Sequence, residues 1–398
     1  MRKLTVILLM LLAAVSLRAQ RFDKEHLSLY AGGRYSRLLD GHGMYDRLLD
    51  SYDTGGAGIL LGIHAHPSDS SWWAGAFNYP NLALGFSWNH AGGLAFKNGS
   101  RLGDFYNLYG RAQIDLVRAG WFSFGPALEV GVAYTPHRFQ YLSNPENKFI
   151  GSRVEGMLGG GMEFKFMLHP QWQLSLDVTL YHHSDGMTRV PNWGINEVTA
   201  GAGLRYFLSP VPDMRRITLE KPAFPKGFRF NVRTAVAVHA CDTERKAQAK
   251  RADEGEITLT DNLTVPPRIR AIVGAEAIWR YSRIFSTGLG VEGMYAANRY
   301  RETDLILRGE TDPKGYSPFF VSVYLTQEFH YDRLSLHVQF GLYAFKRTGL
   351  TEDIGRWFQR IGLRYQIPRC GGLYAGFDMR AHNFDRSYCL EPSLGYTF

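Results

Sequence analysis

Leu174-Ser175-Leu176-Asp177-Val178-Thr179-Leu180-Tyr181 is the stretch whose alternation decides the architecture. In an extended strand Leu174, Leu176, Val178 and Leu180 share one face, and Ser175, Asp177, Thr179 and Tyr181 share the other. Working outward, the same period of two recurs near 26–35, 55–66, 81–90, 105–117, 121–134, 154–168, 171–183 and 194–207. It returns near 228–239, 268–280, 284–296, 318–330, 333–344, 357–366, 372–380 and 388–398. Gly, Pro, Asn and Asp clusters separate these segments. About sixteen strands, each apolar on one side only, predict an all-β, transmembrane antiparallel outer-membrane β-barrel with a lipid-facing outer wall.

The connections alternate in length. Leu168-His169-Pro170-Gln171 and Tyr331-Asp332-Arg333 are tight, as periplasmic turns are, whereas 36–54, 135–153, 240–267 and 297–316 are long and polar, as extracellular loops are. The segment 242–256 reads as a solvated loop of mixed charge. Leu394-Gly395-Tyr396-Thr397-Phe398 ends the chain on an aromatic residue, the signal that barrel-assembly machinery reads during biogenesis. The stretch from Leu174-Ser175-Leu176 to Gly203-Leu204-Arg205-Tyr206 is echoed from Leu334-Ser335-Leu336 to Gly362-Leu363-Arg364-Tyr365. Two related halves follow, 20–208 and 228–398, with 209–227 as a linker or long periplasmic turn. One wide barrel is expected in preference to two tandem eight-stranded barrels. Cys241 and Cys389 test the choice, since they become neighbours only if the second half closes on itself.

Arg2 and Lys3, the apolar run Leu4 to Leu17 and the small-residue site closed by Ala19 have the layout of a secretory signal peptide over 1–19. No later apolar run is long enough for a membrane-spanning helix. Aromatic residues make up 14% of the chain and there are 43 glycines, a composition that suits strands with one apolar face. Three cysteines cannot form a complete disulfide framework, and none of their spacings suits a metal. The formal charge of +8 falls once the signal peptide is removed; the mildly basic remainder suits anionic lipopolysaccharide, and no basic run suits nucleic acid. Glu163, Lys165 and Arg205 read as a lumenal ion cluster, and His64 and His66 as rim residues.

One segment carries chemistry: Tyr181-His182-His183-Ser184-Asp185-Gly186, followed by Pro191-Asn192-Trp193-Gly194-Ile195-Asn196-Glu197. Continued two at a time, the apolar face of 174–180 presents His182 and then Ser184. On the next strand the same parity turns Asn196 outward and Glu197 inward. A hydroxyl beside a histidine base, oriented by a third polar group, is the general plan for acyl transfer.

The H-x-S spacing followed by P-N-x-G-I-N resembles the signature of the outer-membrane lipid A 3-O-deacylase (PagL-type) family, also called acyloxyacyl hydrolase-like. Asn78-Tyr79-Pro80-Asn81-Leu82, Asn144-Pro145-Glu146-Asn147 and Ile150-Gly151-Ser152 agree with it. The resemblance covers most of 26–208, and the second half, with Ala381-His382-Asn383-Phe384, is similar to the extension of longer relatives. It implies an exported outer-membrane esterase that removes a 3-O-linked acyl chain from lipid A and needs no cofactor or metal. Carried over by position, Ser184 is the nucleophile and His182 the general base. Asn196 stands where the family's best-known members have an acid, and Glu197 reaches His182 only if a β-bulge turns it outward. Asp185, Gly186 and Asn192 take the oxyanion and substrate-positioning places, with Asp185 where the family usually has Asn. The rival expectation is a catalytically inactive structural or pore-forming barrel.

Overall fold

The computed structural model describes residues 25–39, 53–64, 72–91, 95–211, 224–296, 317–347, 355–382 and 386–398. The signal-peptide segment 1–19, His66, the loop 297–316 and most of the linker lie outside the described residues. The chain divides into two compact units.

The first unit is built from β1 (Leu27–Leu38), β2 (Asp53–His64), β3 (Asn81–His90), β4 (Phe105–Gln113), β5 (Val117–Ala119), β6 (Phe122–Tyr134), β7 (Val154–His169), β8 (Trp172–Ser184) and β9 (Ile195–Phe207). Neighbours in sequence pair antiparallel, except that β4 passes the three-residue β5 and pairs with β6. The ring closes where β1 meets β9, from Ser28 opposite Phe207 to Leu38 opposite Glu197. Alternation then sorts the side chains. Ile59, Val178 and Leu180 face outward and are exposed, whereas Arg111, Glu129, Glu163 and Arg205 are buried inside. Arg111 bridges Glu129 and Glu163, each at 3.2 Å. Arg205 approaches Glu163 at 3.6 Å, but Lys165 turns to Asp115, at 2.6 Å, instead of joining Glu163. Charges on an inner wall are tolerable because each finds a partner in the ring of facing strands.

The second unit contains β10 (Gly227–His239), β11 (Arg268–Arg280), β12 (Phe285–Ala296), β13 (Phe319–Tyr331), β14 (Leu334–Phe345), β15 (Trp357–Gln366), β16 (Leu373–His382) and β17 (Arg386–Thr397). These eight strands form a closed barrel of their own, sealed by β10 against β17. The expectation of one wide barrel is therefore corrected to two closed eight-stranded barrels. Alternation is the same on every strand and does not say where a ring closes; the hydrogen-bonding edges of β1 and β10 are each taken up within their own half. Cys241 and Cys389 lie in one buried cluster of the second unit, as its closure requires. Inside, Arg233, Arg360 and Arg380 all pair with Glu292 and Glu391, and Arg364 pairs with Glu276 and Glu328.

Among the described residues two helices interrupt the strand pattern, α1 (Trp72–Ala76) and α2 (Asp242–Asp253). The second corrects the reading of 242–256 as a solvated loop. Most of its residues, ERKAQAKRA, are good helix formers, with Asp242 and Glu244 in the first turn and Lys250 and Arg251 in the last, which complements the helix dipole. It lacks an apolar stripe, so periodicity could not reveal it.

Candidate active site

The site is a property of the hairpin β8–β9. Its register sets His182 opposite Asn196, His183 opposite Ile195 and Tyr181 opposite Glu197, with no register shift along the pair. Strict alternation therefore runs to the strand ends. Tyr181 and His183 point inward: Tyr181 donates its hydroxyl to Glu129 at 2.8 Å, and His183 Nε2 sits 3.1 Å from Asn107 Oδ1. His182 takes the opposite face, the one that carries Val178 and Leu180, and is partly exposed. Ser184 ends the strand on the same parity and is buried, at 5% exposure.

His182 Nδ1 lies 2.7 Å from Asn196 Oδ1. An amide oxygen only accepts, so Nδ1 carries the proton and Nε2 keeps its lone pair. The cross-strand contact thus selects the tautomer whose outer nitrogen is a base. Glu197 does not join this pair. It is buried on the inner face, where its Oε1 accepts a hydrogen bond from Asn89 Nδ2 at 2.7 Å, and the bulge needed to turn it outward is absent from the β8–β9 ladder.

Gly194, one residue before β9, shapes the same corner. Its φ is +74°, a left-handed backbone conformation that side chains disfavour. A Cβ on it would stand 2.8 Å from His182 Cε1 and 3.1 Å from the carbonyl oxygen of His183. The missing side chain is the space in which the imidazole lies. The only signal in the sequence was a glycine in the connection immediately before a strand.

Asp185, Gly186 and Asn192 belong to the second unit. Gly186 and Met187 both have positive φ, which folds the chain back so that the Thr188 N–H donates to Asp185 Oδ1 at 3.0 Å. Burial pushes the Asp185 carboxyl up to about 7, against the lowering effect of its bonds to Thr188. Val190 packs with Ala240 and Val265, Met187 lies against them, and the Ala240 N–H donates to the Met187 carbonyl at 2.5 Å. Asn192 is buried. The carboxylate of Asp185 is thus engaged in its own turn. His64 is buried at the end of β2 with its ring edge-on to Phe207, 4.9 Å between centroids. Among the described residues no group of three His, Cys, Asp or Glu is arranged to hold a metal ion.

Residues 58–206 match the family described as lipid A 3-O-deacylase (PagL), and residues 270–398 match the acyloxyacyl hydrolase C-terminal domain. No curated protein sequence matches the chain. Solved structures similar to it include Neisserial surface protein A, at 12% identity over 46% of this chain and 96% of that one, with a TM-score of 0.29. Another is a de novo designed transmembrane β-barrel, at 13% identity over 46% of this chain and 94% of that one, TM-score 0.21. Pseudomonas aeruginosa OccK5 (OpdH) aligns at 11% identity over 94% of this chain and 97% of that one, TM-score 0.22. With one match on each half, the first barrel carries the lipid A 3-O-deacylase (PagL) family's match and the second that of the acyloxyacyl hydrolase C-terminal domain, the order of the long form of these outer-membrane proteins.

Proposed function

We propose that this protein hydrolyses the 3-O-linked acyl ester of lipid A on the outer wall of its first barrel, with Ser184 as nucleophile, His182 as general base and Asn196 as the residue that orients the base. The observation that carries the reading is the 2.7 Å contact between His182 Nδ1 and Asn196 Oδ1 on the wall that faces lipid. It leaves Nε2 as the basic nitrogen, with Ser184 two residues further along the same face.

Ser184 Oγ attacks the ester carbonyl while Nε2 of His182 takes its proton. Collapse of the tetrahedral intermediate breaks the acyl–oxygen bond, and the imidazolium returns the proton to the departing sugar hydroxyl. Water, activated by the same nitrogen, then releases the fatty acid and restores the serine. An ester seated just below the lipid headgroup reaches such a wall from within the bilayer, without passing through a lumen. Asn196 holds the imidazole in place but brings no charge to stabilise the imidazolium. In the serine-protease worked template, exchanging the buried acid for its amide costs about 10⁴ in turnover, so a slow enzyme is expected here.

The test is lipid A mass spectrometry on cells that express the chain or its Ser184→Ala variant. Wild type should yield lipid A lighter by one hydroxyacyl chain, and the variant, folded and inserted, should leave lipid A intact. Continued deacylation by Ser184→Ala would refute the assignment.

A further inference from the structure

Inside the second barrel the buried Arg233, Arg360, Arg364 and Arg380 each have carboxylate partners, but at the short-turn rim this pairing breaks down. Arg229 on β10, Arg280 at the end of β11 and Arg333 in the β13–β14 turn line one cavity, together with Ser286, His330 and Asp332. The floor is neutralised: Arg364 pairs with Glu328 at 2.7 Å and with Glu276 at 2.8 Å. Glu328 also accepts the Ser286 hydroxyl at 2.7 Å, and Ser286 Oγ lies 2.8 Å from His330 Nε2. Above that floor, the ion pairs among the described residues include none of Arg229, Arg280 or Arg333. Asp332 is the one acid in the lining beyond Glu328.

Arg280 is the centre of the group. Its guanidinium donates to the carbonyl of Arg283 at 3.1 Å, while its Nε is buried with no hydrogen-bond partner. Arg280 and Arg283 both lie over the ring of Phe224, 5.1 and 5.5 Å from its centroid, and Arg229 adds a further like charge. Guanidinium groups gathered this closely repel one another unless an anion stands between them. Their planar forks suit the oxygens of a phosphate. Exposed Phe228, Trp279, Tyr281, Phe285 and Phe398 ring the same end of the barrel, as aromatic residues do at a membrane interface.

We propose that this rim cavity is an anion site that takes a phosphate group, presented either as a phospholipid headgroup of the adjoining leaflet or as free phosphate. The site is independent of the esterase reading. Its test uses the full chain in alkyl maltoside micelles, with two probes: inorganic phosphate, and phosphatidylglycerol doped into the micelles. Binding is followed by native mass spectrometry for retained lipid and by the shift of the thermal midpoint. Arg229→Gln/Arg333→Gln, two exposed positions, should weaken binding about tenfold or more, the loss of two charge-assisted contacts. Arg280→Gln should do the same, and Arg280→Lys should restore part of it. Lipid A deacylation should be unchanged in all of them.

Loss confined to the phosphatidylglycerol arm identifies a lipid headgroup, and loss in the phosphate arm identifies free phosphate; either result supports the site. Equal binding of both probes by wild type and the double variant, or binding of neither by wild type, overturns it.

Discussion

Asn196 decides how far His182 can be pushed as a base. Its amide oxygen fixes the tautomer through a 2.7 Å contact, yet in the proposed mechanism it offers no negative charge when the imidazole takes the serine proton. Asn196→Asp should therefore raise turnover, by about tenfold or more if even part of the carboxylate effect is recovered. Steady-state deacylation of purified lipopolysaccharide would measure it, with KM little changed because the contact Asn196 makes is with the His182 ring. A variant with turnover no higher than wild type would mean that imidazolium stabilisation does not limit the reaction. Asn196 was legible from hairpin arithmetic, because period-two parity assigns a face before any coordinate is known. Gly194 was not, since it acts through the side chain it lacks. Gly194→Ala should displace the His182 ring and strain a backbone at φ +74°, lowering turnover by about 10² while the barrel still folds. Deacylation assayed beside heat-modifiable mobility on gels separates the two effects; an unfolded Gly194→Ala would assign the residue to stability instead.

At the scale of elements, each long strand emerged from alternation, and the bounds of β3, β11 and β15 coincide with the segments read from sequence at 81–90, 268–280 and 357–366. Strands of this wall are legible because one side must meet lipid and the other must not, so the pattern is imposed residue by residue. The helix α2 escaped for the complementary reason. Its residues are polar all round, and what makes them helical is intrinsic propensity and charge placement. The turn at 185–188 also lay beyond parity. Its positive φ at Gly186 and Met187 and its Asp185–Thr188 hydrogen bond are local solutions, of which only Gly186 left a mark in the sequence.

At the scale of the whole molecule the described strands form two closed rings, and the lumen of each is crossed by side chains. In the first, Arg111, Glu129, Glu163 and Arg205 form a linked cluster; in the second, Arg233, Arg360 and Arg380 converge on Glu292 and Glu391. These paired side chains are almost wholly excluded from solvent, which argues against a water-filled channel at their level. Planar-bilayer recordings should accordingly show no stable ohmic steps, and porin-like conductance would return the pore reading to first place. The sequence alone determined the strands, the outward face of the first barrel and the parity that His182, Ser184 and Asn196 share with that face, because alternation is a local consequence of an apolar solvent on one side. Only the tertiary structure decided where the rings close, that no bulge undoes the inward turn of Glu197 and that Asn89 is its partner there, and that Gly194 leaves room for the imidazole. Those outcomes depend on which distant strand edges meet and on how much space is left between them, and neither is written in the period of a strand.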